Sequence, residues 1–349
     1  MRTRWSIICW FLMAASCLVP RELLTQNKRI GSTSGTQLLI PVGGRDLARG
    51  GASIAIAHGV EAIHWNPAGL GSITQGAEGM FSTMSYLADI TVNYGGVAAA
   101  FGDFGVLGLS IRAVDFGDIK LTTREDPLGR GGRLYSPTFV TLGLSYARSL
   151  TDAISAGATF KLLSEQIERV GASGFAIDIG VQYSKLGGVQ GLNVGVTVKN
   201  IGPRMQYDGS ALLGSSRRTD GDRPEQRYKI ETSEDELPSL FEIGLAYTSS
   251  FSENMVWNVA SSFTNKNLGL DEYRLGGELG YTLEGIQLFG RVGMGFVPQA
   301  EEEDSNIFGT TFGMGMVYAT EDIDITVDYA YRSVQFFDAN QVISVKFGF

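Results

Sequence analysis

The sequence predicts an all-β fold: a transmembrane antiparallel β-barrel of about 14 strands, with a small N-terminal hatch or plug in its lumen. Three observations carry this expectation. The chain opens with an export signal. Apolar residues then recur at every second position, in segments of roughly ten residues, almost to the C-terminus. The connections between those segments alternate between short and long, and the last segment ends on phenylalanine.

The export signal comes first. Arg2 and Arg4 form a positive n-region, and "WSIICWFLMAASCL" supplies an apolar core with the small residues Ala14, Ala15 and Ser16 near its end. The run is well under the roughly 20 residues that cross a bilayer as a helix, which disfavours a membrane anchor. "AASC" loosely resembles a lipidation site at Cys17, but it lacks the leucine three residues before the cysteine. Residues 1–24 are read as a signal peptide, with lipidation of Cys17 as the alternative. Cys9 and Cys17 are the only cysteines. Cleavage after Cys17 leaves a mature chain with no disulfide and no reactive thiol.

Composition bounds the rest. The 349 residues include 46 glycines, carry 19% charged side chains and sum to a net charge of −9. An acidic balance argues against a nucleic-acid partner, because phosphate binding requires a basic surface. After the signal, no stretch is apolar for long enough to form a transmembrane helix. An exported chain of this kind is either soluble outside the inner membrane or a barrel in an outer one.

The period-two pattern favours the barrel. In "GFAIDIGVQYS", Phe175, Ile177, Ile179, Val181 and Tyr183 alternate with Ala176, Asp178, Gly180, Gln182 and Ser184. Successive side chains on a strand point to opposite faces, so one face is apolar and the other wet. "GLNVGVTVKN", "FEIGLAYT", "EYRLGGELGYTL", "ISAGATFKLL" and "DIDITVDYAYR" repeat the pattern. A soluble sandwich also alternates, but its strands are typically only five or six residues long. The wet faces here are rich in Gly, Ser, Thr and Ala. Tyr and Phe gather toward segment ends, as in the aromatic girdles of outer-membrane barrels. Short connections fall near Gly102, Leu150, Leu186, Phe251, Glu284 and Thr320; long ones run over 120–136, 201–238 and 298–306. This matches short periplasmic turns and long external loops. The last segment, "VISVKFGF", puts Ile343, Val345, Phe347 and Phe349 on one face. A barrel is thus expected over 79–349.

Residues 25–78 break the pattern; such a segment can sit in the periplasm or fold back into the lumen as a hatch or plug. "GGRDLARGGASIAIAHGVEAIHWNPAGLGS" is rich in Gly and Ala and too short for a confident independent domain. A barrel this wide needs a plug if it is not to leak, because diameter grows with strand number. Within the stretch, Asn66 favours turn geometry, Pro67 fixes φ, and Gly69 and Gly71 are expected to relieve the backbone where it bends.

"LARGGASIAIAHGVEAIHWNPAGLG" resembles the N-terminal hatch of the FadL superfamily of outer-membrane proteins, which carries an Asn-Pro-Ala motif, and is most similar to its PorV/PorQ family. The similarity continues through "SYLADITVNYGGVAAAFGDFGVLGLSIRAVDFGDI", "YARSL", "GATFKLL", "FAIDIGVQY" and "VGVTVKNIGP", covering most of Arg45 to Tyr207. The C-terminal half agrees mainly in pattern. The family's hatch more commonly has an acidic residue near His58 and Tyr or Phe near Trp65. The resemblance implies a fourteen-stranded barrel with an N-terminal plug, and marks Asn66, Pro67, Ala68 and Gly69 as the hatch motif. Separately, the final strand "VISVKFGF", ending at Phe349, resembles the C-terminal signal by which bacterial barrel-assembly machinery recognises its clients.

Candidate chemistry is sparse. His58 and His64 are the only histidines, and Glu61 is the one natural co-ligand nearby, so packing or hydrogen bonding is the better reading than a metal site. There is no GxSxG elbow, and "GGRDLARGG" lacks the Gly-Lys-Ser/Thr of a phosphate loop. "EEED" at 301–304 lacks the spaced ligands of a calcium loop. No cofactor and no enzymatic activity are expected. Lys161, Asp178, Arg274, Glu278, Arg291, Asp324, Asp328 and Arg332 fall on wet faces and are candidate lumen-facing polar residues, paired or hydrated, that anchor the plug. In the long connection over 201–238, Arg217, Arg218, Asp220, Asp222, Arg223, Glu225 and Arg227 suggest a solvated loop or a docking surface for a protein partner.

Two functions follow. By the closer resemblance, the chain is a non-enzymatic barrel in the outer membrane of a Gram-negative-type bacterium, in contact with lipid, that binds and shuttles exported proteins in a type IX-like secretion pathway. By the wider superfamily, it is a passive channel for long-chain fatty acids or other hydrophobic small molecules. The small, polar wet faces favour the first.

Overall fold

The computed structural model describes residues 33–216, 225–298, 306–321 and 323–349. The expected signal peptide, with Cys9 and Cys17, lies outside the described residues. So do Arg217, Arg218, Asp220, Asp222 and Arg223, and the acidic run 301–304.

Fourteen long strands make one antiparallel sheet. They are β1 (Ala77–Ser85), β2 (Thr91–Ala100), β3 (Val106–Asp115), β4 (Thr138–Ser149), β5 (Ile154–Ile167), β6 (Val170–Tyr183) and β7 (Leu192–Ile201). The second half comprises β8 (Leu240–Ser252), β9 (Met255–Lys266), β10 (Glu272–Leu283), β11 (Ile286–Phe296), β12 (Phe308–Ala319), β13 (Asp324–Val334) and β14 (Asn340–Gly348). Each strand pairs with its neighbours in sequence. Phe81 on β1 lies opposite Gly95 on β2 and opposite Val345 on β14, so the sheet closes on itself. Closure leaves no free edge, the condition for a sheet to sit in lipid.

Alternation sorts the two faces. On β5, Ala158, Phe160 and Leu162 point outward and are exposed, while Thr159, Lys161, Leu163 and Glu165 point inward and are buried. The outer face carries a continuous apolar surface, including Leu109, Leu144, Ile179, Val259, Val292 and Ile343. Aromatic clusters stand at both rims. Phe251 stacks on Trp257 at 5.6 Å and Tyr247 meets the same ring at 5.7 Å, while Tyr273 contacts Phe263 and Phe296 at 5.0 and 5.4 Å at the other end. This is the girdle arrangement that holds a barrel at membrane depth.

The rim carrying both the start of β1 and the end of β14 has mostly tight turns, such as 253–254 and 284–285; the opposite rim carries the long connections 116–137 and 202–239. Several connections depart from the expected alternation: 86–90, 267–271 and 335–339 join strands at the external rim with no more residues than the tight-side turn 101–105, and two others depart further. β5 and β6 are the longest strands and project beyond the external rim, where residues 168–169 suffice to join them, with Glu168 at φ 51°. On the tight side, 184–191 makes a longer excursion through Lys185, Gly187, Gly188 and Gly191, all at positive φ. The register between β6 and β7 slips at a bulge around Asn200 (φ 62°), whose backbone N–H donates to Asp178 Oδ1 at 2.8 Å. Beyond the bulge the chain leaves β7, Asp208–Gly209 pairs with β6, and Met205 and Leu237 turn inward.

The hydrophobic core of the protein is the lumen. Val60, Ile63, Trp65 and Leu70 of the N-terminal segment pack against Met80, Tyr94 and Val106 of the wall. Ile40, Leu47 and Ala48 pack against Met84, Val114 and Val342. At the external end, Leu38 joins Leu163, Ala172 and Ala176 of the wall with Met205 and Leu237 of the long loop.

The closing seam ends at Phe349, whose N–H donates to Ala77 O (2.9 Å) and whose carbonyl accepts from Ala77 N–H (3.2 Å). Deleting Phe349 removes both bonds. The expected result is a smaller heat-modifiable fraction on gels and a loss of about 1–2 kcal/mol in stability. Equal yield and equal unfolding temperature would show that closure does not need this residue.

Candidate functional site: the lumenal hatch

The N-terminal segment is built from short pieces joined by turns. A 3₁₀ turn (Thr36–Leu39) leads to the helix α1 (Gly44–Ala48). A second turn (Gly59–Glu61) runs into α2 (Ala62–Trp65), and Pro67–Ser72 forms another 3₁₀ stretch. Asn66 caps this last piece, accepting from Ala68 N–H through Oδ1, with Pro67 at the first helical position.

What lets this segment lie in the barrel is a set of glycines in the wall. Gly157 on β5 sits opposite Gly180 on β6, Gly195 on β7 opposite Gly244 on β8, and Gly276 on β10 opposite Gly293 on β11. All six point inward. A Cβ on Gly157 would strike the Pro67 carbonyl, and one on Gly180 the Asn66 side chain. A Cβ on Gly195 would strike the Ile54 carbonyl, and one on Gly244 would press on Ile54 and Ala55. On Gly276 and Gly293 it would collide with Arg49 O and Gly50 N. Each cross-strand pair is therefore a bare seat for one stretch of hatch backbone: 66–68, 54–55 and 49–50. Ala260, opposite Gly276, and Gly313, against Ala48 Cβ, extend the third seat on either side.

Asn66 ties two seats together. It is fully buried, and Nδ2 donates to Ile54 O at 2.9 Å and to Val181 O on the wall at 3.3 Å. Gln182 adds bonds to Ile54 O (3.2 Å) and Ala57 O (2.9 Å). Gly69 and Gly71 do not sit at positive φ, so bending is not their role. Gly69 instead lets the Ala57 carbonyl approach, where any Cβ would collide. Positive φ is used at Gly43, Gly50 and Gly51, on either side of α1.

Both histidines are structural acceptors. His58 Nδ1 faces Ile56 O at 3.0 Å and so carries the proton, leaving Nε2 to accept from Arg45 at 2.5 Å. His64 Nδ1 accepts from Arg112 on β3 at 2.7 Å. Arg45 and then burial hold His58 down to about 3; burial and then Arg112 hold His64 well below the usual range. Glu61 is buried, and among the described residues its Oε1 has no hydrogen-bond partner. Burial, then the nearby Asp46, pushes it up to about 7. Among the described residues, no cluster of His, Cys, Asp and Glu is placed to hold a metal ion.

The expected lumen-facing charges fall into three networks and two outliers. Arg291 joins Glu278 and Asp328 at 2.5 Å each, and Glu278 lies 3.9 Å from both Arg45 and Arg49 of the hatch. Arg49, which caps the C-terminal end of α1, pairs with Asp46 inside the helix. On the other side, Lys161 pairs with Asp178 at 2.5 Å and donates to Asn200 Oδ1 at 2.9 Å. Arg274 stands nearer the external rim, between Glu242 (3.3 Å) and Glu272 (2.9 Å). Arg332 lies 3.8 Å from the Phe308 ring centroid. Asp324 has inward parity but sits at the tight-turn rim, exposed, and joins none of these networks. Sequence reasoning passed over Arg112, Lys199, Glu242 and the wall glycines. Lys199 pairs with Glu242 at 2.6 Å and reaches the carbonyls of His64 and Trp65 at 3.4 and 3.5 Å. Strand parity alone places all of these inward, so extending it to every wet-face position finds them.

Residues 23–214, which span the hatch, match the family model described as "Type IX secretion system protein PorV". The chain belongs to the PorV family. Solved structures of similar fold include the monoaromatic hydrocarbon channel CymD (12% identity, covering 89% of this chain and 98% of that one, TM-score 0.55). The Pseudomonas putida toluene transporter TodX is similar at 13% identity, 88% and 98% coverage and TM-score 0.55. The Ralstonia pickettii toluene transporter TbuX follows at 12% identity, 88% and 98% coverage and TM-score 0.53. These likenesses concern the fold. A search of curated proteins found no match. Family and fold together point to an outer-membrane transport protein rather than an enzyme.

Two expectations follow for this PorV-family hatch. Gly293→Val should unseat it, because the collision is with backbone that no rotamer change relieves. The cost is about 1–3 kcal/mol or more, with faster proteolysis of 43–73. Gly290→Val, on the lipid face with open space around it, is the control and should change nothing. Equal proteolysis of the two variants would refute the seats.

The second expectation concerns pH. Glu61 has a raised pKa, so its contribution to seating is present below about 4.5 and is lost as pH rises toward about 7. The histidines have lowered pKa values, so their contribution is present above about 6.5 and is lost on acidification. The two trends oppose each other between those limits. Glu61→Gln should therefore make the loosening of the hatch on acidification steeper than in the parent, read as hydrogen exchange across pH 4.5 to 7. Identical slopes would remove Glu61 from the account.

Proposed function

We propose that this PorV-family barrel binds exported proteins at the external face of the outer membrane and shuttles them in a type IX-like secretion pathway. The observation that carries the reading is the family match over 23–214, the hatch and the first seven strands. The geometry is compatible with a docking platform. The hatch fills the lumen, and Met205 and Leu237 of loop 202–239 pack into its external end. The long loops offer exposed apolar side chains, among them Leu128, Leu134, Leu213 and Tyr228. Ion pairs such as Arg204–Glu236 and Lys229–Asp208 lie beside them. The same reading takes 1–24 as a signal peptide, 25–78 as the hatch and 79–349 as the barrel. It also takes the C-terminal strand as the handle for barrel assembly.

A second reading is a passive channel for hydrophobic small molecules. It is favoured by the shared fold with CymD and TodX and by the apolar cluster around Leu38 at the external end of the lumen.

Deletion of the gene separates the two. Loss of surface proteins that carry a C-terminal sorting domain, with those proteins co-purifying on the tagged barrel, is the expected result. Intact secretion with abolished uptake of a lipid-like or aromatic compound would replace the first reading by the second.

A further inference from the structure

We propose that β5, β6 and the loop segment 234–237 form a slot for an extended peptide, and that residues 33–38 of this chain occupy it as a built-in strap. The inference rests on the reading of the protein as a binder of exported chains, and it names where such a chain is held.

The strap makes the contacts that a separate peptide strand makes. Thr33 forms an isolated parallel β-bridge with Glu236, and Ser34 N–H donates to Glu236 O at 3.3 Å. Thr33 Oγ1 donates to the same carbonyl at 2.9 Å. One residue on, Gly35 N–H donates to Glu165 Oε1 at 2.7 Å, while the other carboxylate oxygen accepts from Tyr207 OH. Glu165 is buried, and among the described residues it has no ion-pair partner, so this wall position requires N–H or O–H donors from whatever passes it. Three residues further, Leu38 enters a pocket of Leu163, Ala172, Ala176, Met205 and Leu237. Ala172 and Ala176 leave room for one branched apolar side chain. The recognition pattern is a backbone donor at one position and an apolar anchor three residues later, set beside a strand that offers main-chain bonds.

Two features make the strap exchangeable. None of the three glycine seats holds it, since they grip 49–50, 54–55 and 66–68. Its own fit is also incomplete. Gln37 is buried, yet among the described residues neither atom of its side-chain amide has a partner; Arg112 takes only its backbone carbonyl, at 2.6 Å. A peptide with an apolar residue in place of Gln37 makes the same contacts without burying that amide.

The test uses the purified full-length barrel and a labelled synthetic peptide of residues 33–42, TSGTQLLIPV. Leu38→Asp should drive the strap from its pocket. Peptide affinity should then rise at least about tenfold over the parent, because apparent affinity scales with the fraction of slots that are empty. Adding Ala176→Leu, which fills the pocket, should abolish the gain. A Thr33→Cys, Glu236→Cys pair provides a second route without disturbing the core: oxidation should weaken peptide binding and reduction restore it. Equal binding to parent and Leu38→Asp barrels that both remain heat-modifiable, or binding indifferent to the state of the cysteine pair, would overturn the slot. The secretion reading stands apart from this result. A slot that binds peptide in a cell whose secretion survives deletion leaves the slot and removes the pathway; cargo that co-purifies with a barrel unable to bind peptide does the reverse.

Discussion

Everything inside this barrel depends on the hatch backbone lying directly on the wall, and that depends on missing side chains. A closed sheet of fourteen strands encloses more space than its own inward side chains fill. Ordinary residues at every inward position would hold the hatch a side chain's length away, leaving carbonyls such as Ile54 O and Arg49 O facing a gap. At the pairs 157/180, 195/244 and 276/293 the wall is bare on both strands of a rung, so hatch main chain, and at Gly180 the Asn66 side chain, lies directly on wall main chain. Glycine weakens a strand taken alone. Here the loss is offset by the packing of the hatch itself, so wall and plug stabilise each other and neither is complete without the other.

Charge completes what the glycines begin. Buried ion pairs are poor evidence of stability, because the desolvation of both partners offsets most of their attraction. Their value here is orientation. Arg291 on β11 bridges Glu278 on β10 and Asp328 on β13, reaching past β12, and the hatch arginines Arg45 and Arg49 approach the same Glu278. A hatch displaced by one rung would leave that carboxylate short of cations, and Lys199 short of the His64 and Trp65 carbonyls it faces. The polar lumen thus selects one seating among several that apolar packing alone would tolerate.

Much of this was legible in the sequence, and the remainder was hidden for physical reasons. Alternation around Asp178 and Asp328 fixed the strands and their inward faces, because a period of two has only one consistent assignment once one face is apolar. The motif Asn66–Pro67–Ala68–Gly69 marked the hatch through its resemblance to a family. The partners of those residues were not legible. Gly180 and Asn66 are far apart in the chain, and nothing local says that one is bare to admit the other. Gly69 shows the same limit: a glycine can serve φ or proximity, and only the neighbouring Ala57 carbonyl decides which. The tight external turn at Glu168 and Arg169 was missed because it follows from how far β5 and β6 project, which local turn residues do not encode.

The kinds of contact around the lumen also divide the hatch into parts of unequal freedom. Backbone-on-backbone contact at the glycine pairs cannot be relieved by a change of rotamer, so the stretches from Arg49 to Ala68 that rest on β5–β8 and β10–β12 move only if the wall moves. On β13 the hatch still lies on backbone, since a Cβ on Gly44 would press on the Asp328 carbonyl. On the rest of the arc apolar side chains supply the packing: Val60 and Ile63 against Met80, Tyr94 and Val106, and Ile40 and Leu47 against Met84 and Val342. Side chains can repack at modest cost where backbones cannot. The strap before α1 is held less firmly still, by a bridge, a carboxylate and one leucine. Any rearrangement that leaves the fold intact is therefore confined to the strap, the loop above it, and the arc formed by β14 and β1–β3. A partner acting from the external side meets that movable part first, and the seated part behind it keeps the barrel closed.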